Sequence, residues 1–251
     1  MPTMLTLRRA MLLLTILTTL SAAAAGRELA PRVIAETPNA TYPPVTAFSG
    51  DRFLTVWVED LGLAGSSVRG AFSDRSGRRI ATTAIVLGVR GADPMSMELV
   101  GAADGGYALF WRAYDGGAQM ALIDRDGHVT AVRTIDLPPY VTAKVAWNGT
   151  HFLAVVQPVG TLNIEGAILD RDGRTVRGDI RFPRDVYALD VVATDDDFVV
   201  FASQSNGVVA WRITTNGIES STVIDATGPA WIAATATANG DVLVVWSRIA
   251  L

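Results

Sequence analysis

The stretch YVTAKVAWNGTHFLAVVQPVGTLNIEGAILDRDGRTVRGDIRF, Tyr140 to Phe182, divides into four short apolar runs. Tyr140–Trp147, His151–Val159, Ile164–Asp170 and Arg174–Phe182 are rich in β-branched and aromatic residues. Asn, Gly, Pro and Asp stand between them, the residues that bound strands and build tight turns. The second run is apolar at consecutive positions, which suits a strand covered on both faces. One part invites another reading: Asp170-Arg171-Asp172-Gly173 resembles the opening of a calcium loop.

The rest of the chain settles what that turn is, because the whole unit recurs. SGDRFLTVW (Ser49–Trp57), ADGGYALFW (Ala103–Trp111), NGTHFLAVV (Asn148–Val156), TDDDFVVFA (Thr194–Ala202) and ANGDVLVVW (Ala238–Trp246) align on Phe53, Tyr107, Phe152, Phe198 and Val242. These anchors are 54, 45, 46 and 44 residues apart. After each of the first four comes a turn of the same length: Asp74–Gly77, Asp124–Gly127, Asp170–Gly173 and Thr214–Gly217. In register, Asp172 is Asp126, then Ser76, then Asn216, and Asp170 becomes Thr214. A carboxylate is therefore not required, while the polar-Gly pair persists as a hairpin signal suited to positive φ.

Four-stranded units of about 45 residues, repeated in tandem, predict an all-β chain folded as a β-propeller. A β-sandwich does not predict the fixed spacing. The units run roughly 42–88, 94–139, 140–183 and 184–228, with a fifth made from 229–251 and 26–38. About five four-stranded blades result, the last shared by the two termini and lacking its third strand. Two closures fit this: a ring with one reduced blade, or a truncated stretch of a longer propeller.

Residues 1–25 are set apart. Arg8 and Arg9 precede an apolar run to Leu20 and a small-residue Ala23-Ala24-Ala25 end, the pattern of a signal peptide cleaved after Ala25. The run falls short of the ~20 residues a membrane span requires, so no span is expected after cleavage. The protein is read as exported, periplasmic or extracellular. There is no cysteine, so the domain relies on its core, and 49% of the residues are hydrophobic. Beyond residue 25 there are 19 basic and 25 acidic residues, with Lys144 the only lysine. No basic cluster exists, which argues against nucleic acid as partner.

Phe53-Leu54-Thr55-Val56-Trp57 with Asp74 and Gly77, Tyr107 to Trp111 with Asp124 and Gly127, and Phe152 with Asp170 and Gly173 resemble the repeats of a group of exported bacterial β-propeller proteins of uncharacterised function. The resemblance covers nearly all of 26–251 and implies architecture rather than activity. It departs from the Asp boxes of sialidase propellers, Ser-x-Asp-x-Gly-x-Thr-Trp: the Asp-to-Gly interval is one residue longer, and no Trp follows.

Candidate sites are few. His128 and His151 lie in turns of different units, and the run Asp195-Asp196-Asp197 occupies the same turn as Gly50-Asp51; both read as solvated turns. Trp57, Trp111 and Trp246 end apolar second strands and read as packing between blades. The remaining set, Tyr42, Ser96, Tyr140, Tyr187 and Trp231, precedes each anchor by 11 or 12 residues. At the start of each first strand, near a central channel, it would form an aromatic ring able to stack on a sugar or grip a peptide. No catalytic residue, metal site or cofactor motif is predicted. The expected role is a non-enzymatic interaction or ligand-binding platform for a protein, peptide or glycan; the alternative is a glycan-acting hydrolase or lyase.

Overall fold

In the computed structural model, residues 42–60, 66–80, 85–87, 92–114, 116–183, 185–227, 230–236 and 241–248 are described, all within the unit Ile34–Leu251. The segments 1–25 and 26–38, read above as signal peptide and closing strand, lie outside the described residues.

The described chain forms four four-stranded antiparallel sheets and a hairpin, each from one uninterrupted stretch. Blade 1 contains β1 (Val45–Ser49), β2 (Arg52–Asp60), β3 (Ser66–Asp74) and β4 (Ile85–Val86). Blade 2 contains β5 (Glu98–Gly101), β6 (Tyr107–Arg112), β7 (Ala118–Ile123) and β8 (Val129–Ile135). Blade 3 contains β9 (Tyr140–Trp147), β10 (Phe152–Pro158), β11 (Glu165–Leu169) and β12 (Thr175–Arg181). Blade 4 contains β13 (Val186–Ala193), β14 (Phe198–Gln204), β15 (Gly207–Thr214) and β16 (Gly217–Asp225). The hairpin pairs β17 (Ala230–Ala236) with β18 (Val242–Arg248). This is a β-propeller whose fifth sheet has two strands among the described residues.

Strand alternation explains the stacking. On β10, Phe152, Ala154 and Val156 share a core with Ala108, Phe110 and Met120 of blade 2. The alternate residues, Leu153 and Val155, share another with Leu189, Val191, Phe198 and Val200 of blade 4. On β6, Tyr107, Leu109 and Trp111 meet Leu54, Val56 and Phe72 of blade 1. A second strand is thus apolar at successive positions because each face meets a different neighbour. Each fully buried leucine contributes roughly 2 to 3 kcal/mol. The first strands pack in sequence, β1 on β5, β5 on β9, β9 on β13 and β13 on β17. That places them inside, while the fourth strands β12 and β16 are largely exposed. Trp57 and Trp111 are buried, as packing requires. Trp246 is half-buried, and its Nε1 donates to Asp225 Oδ2 at 2.9 Å, tying the hairpin to blade 4.

Candidate functional site

The Asp-x-x-Gly turns are built alike. Asp170 Oδ1 accepts the N–H groups of Asp172 (2.9 Å) and Arg174 (2.8 Å). Asp124 Oδ1 does the same for Asp126 and His128, and Asp74 Oδ1 for Ser76 and Arg78. In blade 4 the Thr214 hydroxyl oxygen accepts the N–H of Asn216 at 3.1 Å. The glycines that close these turns, Gly77, Gly127, Gly173 and Gly217, have φ of 75°, 91°, 77° and 106°. Positive φ is thus confined to the glycine and not shared by the polar residue before it. What the first position supplies is a side-chain oxygen for the backbone. The Ser76 hydroxyl and the Arg78 N–H hold the Asp74 carboxyl down at about 2. Among the described residues, no group of three or more His, Asp or Glu is arranged to hold a metal ion. Asp197 accepts from Arg212 Nε at 2.9 Å, and Asp196 O from Asn148 Nδ2 at 2.7 Å.

The five residues singled out at the starts of the first strands have different surroundings. Tyr140 is buried in the core between blades 2 and 3, 2% exposed. Its phenol lies by Ser96, and burial pushes it well above the usual tyrosine range. Ser96 is buried in a single 3-10 turn, donating to Asp93 O at 2.8 Å and accepting the Arg112 N–H at 2.8 Å. Arg112 also holds Asp93 Oδ2 and Tyr140 O, so this group latches blade 2 to blade 3. Tyr42 and Trp231 are exposed, at 39% and 71%. Tyr187 lies in β13, and its side chain is outside the described residues. The structure brings Ser96 and Tyr140 together, and in this conformation Tyr140 offers no ring face to a ligand.

The inner strands carry a charged group that the aromatic pattern obscured. Glu98 on β5, Lys144 on β9 and Asp190 on β13 hold one register position, opposite Phe110, Val155 and Phe201. Lys144 Nζ donates to Glu98 Oε1 at 2.7 Å. Burial pushes the Glu98 carboxyl up against the pull of Lys144, while Glu98 and Asp190 hold Lys144 protonated against the same burial. Asp190 Oδ2 accepts the N–H of Ala234 at 2.7 Å. A charged residue eight or nine positions before three of the five anchors was the available signal. The cluster joins sheets to one another.

A cleft of about 360 Å³ opens between blades 2 and 3, at the end bearing the first and third turns of each blade. Trp147, the last residue of β9, forms one wall, half-buried and packed on Phe152 with ring centroids 4.3 Å apart. Thr130 and Leu122 come from blade 2. Around them stand Arg125 and Arg171, from the third turns of blades 2 and 3, with Asp104, Asp124 and Asp172. Arg171 Nη2 lies 3.7 Å from Asp104 Oδ2, bridging the blades. Asp172 pairs with Arg174 at 2.6 Å, and Asp124 with the His128 ring at 3.2 Å. The mouth thus combines a hydroxyl, guanidinium groups and carboxylates beside an aromatic face.

No protein-family model and no curated protein matches the chain. Solved structures do. Kuenenia stuttgartiensis hydrazine synthase aligns with a TM-score of 0.53 at 14% identity, over 87% of this chain and 77% of that one. The SapL1 lectin in complex with alpha methyl fucoside aligns at 0.52 and 15%, over 85% and 74%. The fucose-specific lectin from Aleuria aurantia aligns at 0.51 and 13%, over 82% and 70%. At such identities the likeness shows the fold, a β-propeller shared by proteins of different activities.

Proposed function

We propose that the protein is an exported, non-enzymatic glycan-binding propeller, with the sugar held in the cleft between blades 2 and 3. The observation that carries this reading is the cleft itself. Sugar hydroxyls both donate and accept hydrogen bonds, and Arg125, Arg171, Thr130 and Asp104 supply both complements within one concavity. The Trp147 ring offers an apolar face for sugar C–H groups. The volume lies within the range of small-ligand pockets. Two lectins among the structural neighbours support the reading by analogy of fold. Export rests on the character of residues 1–25.

The cleft suits binding better than hydrolysis. A glycoside hydrolase of the usual kind sets one carboxyl above its ordinary pKa as general acid, facing a second carboxylate. Asp124 is held below the ordinary value instead: some burial raises it, but the N–H groups of His128 and Asp126 outweigh that. Asp104 and Asp172 are paired with arginines.

A glycan-array screen of residues 26–251, followed by titration calorimetry, tests the reading. Arg125→Ala and Trp147→Leu are each expected to weaken binding at least about tenfold, or 1.4 kcal/mol, with unchanged circular dichroism. Array binding that survives both changes rejects the cleft as the site. Turnover of a fluorogenic glycoside rejects the non-enzymatic role.

A further inference from the structure

A second, smaller cleft of about 260 Å³ lies between blades 1 and 2, lined by Gly50, Asp51, Asp104, Gly105 and Arg125. Alone it falls below the usual size of a ligand pocket. It is not alone, because Asp104 and Arg125 line both clefts. The two hollows therefore meet at this pair, on the same end of the blades.

Three features keep the junction open. Gly50 and Gly105 face each other, both with positive φ (63° and 79°). A Cβ on Gly50 would stand 3.4 Å from Gly105 Cα, and one on Gly105 would stand 3.7 Å from Arg125 Cβ. Any larger side chain would fill the floor. Asp104, between them and the larger cleft, has φ 57°, a left-handed conformation that non-glycine residues adopt at some cost. That conformation sets its carboxylate at the junction, where Arg171 of blade 3 meets it. Beneath, the Tyr107 hydroxyl donates to Arg52 O at 2.9 Å, and Arg52 Nη1 donates to Arg125 O at 3.3 Å. The wall between the clefts is thus braced from both blades.

Resting on the glycan-binding reading above, we propose that the two clefts are consecutive subsites of one groove that binds a linear, neutral oligosaccharide laid across blades 1, 2 and 3. Neutrality follows from charge. Asp51, Asp104, Asp124 and Asp172 stand along the groove with Arg125 and Arg171, and Arg52 and Arg174 pair with Asp51 and Asp172. Carboxylates and guanidinium groups therefore balance, and no net positive charge draws a uronic or sialic acid polymer. Linearity follows from the shared pair: a chain leaving the larger cleft over Asp104 enters the smaller one without leaving the surface.

The test is a length series by titration calorimetry, using glucose to cellohexaose, xylose to xylohexaose and mannose to mannohexaose. In at least one series the tetramer is expected to bind about tenfold or more tighter than the monosaccharide. Asp51→Ala is expected to flatten that series, and Arg171→Ala to weaken binding at every length. A monosaccharide that binds as tightly as its tetramer overturns the two-subsite groove and leaves the single-cleft lectin standing. Preference for acidic glycans overturns the ligand class. Binding of no glycan by the folded protein overturns both this inference and the reading on which it rests.

Discussion

The forward faces of β10 and β18, those turned toward the following sheet, carry the same kind of side chain at the same register. Leu153 and Val155 stand one and three residues after the anchor Phe152, and both are fully buried against blade 4. Leu243 and Val245 stand one and three residues after Val242, and they are 58% and 57% exposed. The rear faces are treated alike: β10 packs on blade 2, and the hairpin is bonded to blade 4 through Trp246 and Ala234. An apolar strand in this fold is a request for a neighbour, and the neighbour decides its burial.

Five substitutions sharpen that contrast. Leu153→Ala removes a wholly buried side chain and should lower the unfolding free energy by about 2 to 5 kcal/mol. The same change at Leu243 should stay within about 0.5 kcal/mol. Urea denaturation of both variants checks the pair, and equal losses would dissolve the contrast. Smaller effects belong to the third turns. Gly173→Ala strains a positive φ and sets a Cβ 2.8 Å from the Met120 sulfur of blade 2. It should cost about 1 to 3 kcal/mol. Gly77→Ala in blade 1 has the same sign of φ and nothing within 4 Å of the added carbon, so it should cost less in the same assay. The smallest effect is electrostatic and confined to a surface turn. The folded Asp74 carboxyl sits at about 2 against an ordinary 3.8. Its contribution is therefore complete above pH 3.8 and lost as the pH falls toward 2. Asp74→Asn should flatten the stability profile in that window, while the blade 4 turn, with Thr214 in the same place, contributes no such slope.

Much of the fold is legible in the sequence because its periodicity is local. Tyr107, Phe152 and Phe198 are each 1% exposed, and spacing alone picks them out. The aromatic set at the strand starts is harder to place, and Tyr140 shows why. It pairs with Pro158 while Thr142 pairs with Gln157, a shift in register at the end of β10. Blade 4 carries the same shift, with Val186 opposite Gln204 and Ala188 opposite Ser203, so Tyr140 answers in register to Val186 and not to Tyr187. The core also had a partner waiting for the phenol, the buried Ser96. The clefts are invisible for another reason. Asp104, Arg125 and Arg171 come from different turns of two repeats and Trp147 from the end of a strand, and each turn reads as a solvated loop by itself. Only the angle between stacked sheets brings Arg171 to Asp104. The recurring Arg after the turn aspartate, at Arg75, Arg125 and Arg171, was the one mark of them in the sequence.

The unbroken derivation of each sheet from one stretch of chain bears on how the protein comes into being. Among the described residues no strand awaits a partner from a later unit, so a polypeptide emerging N-terminus first can complete each of these blades before the next has appeared. Among the described residues the main contacts between units join consecutive members, so assembly can advance as a front along the chain. At each stage the newest blade presents an uncovered apolar surface, and holdase chaperones would find their target there. Among the described residues, Trp231 of β17 and Leu243 and Val245 of β18 present an exposed apolar surface of that kind.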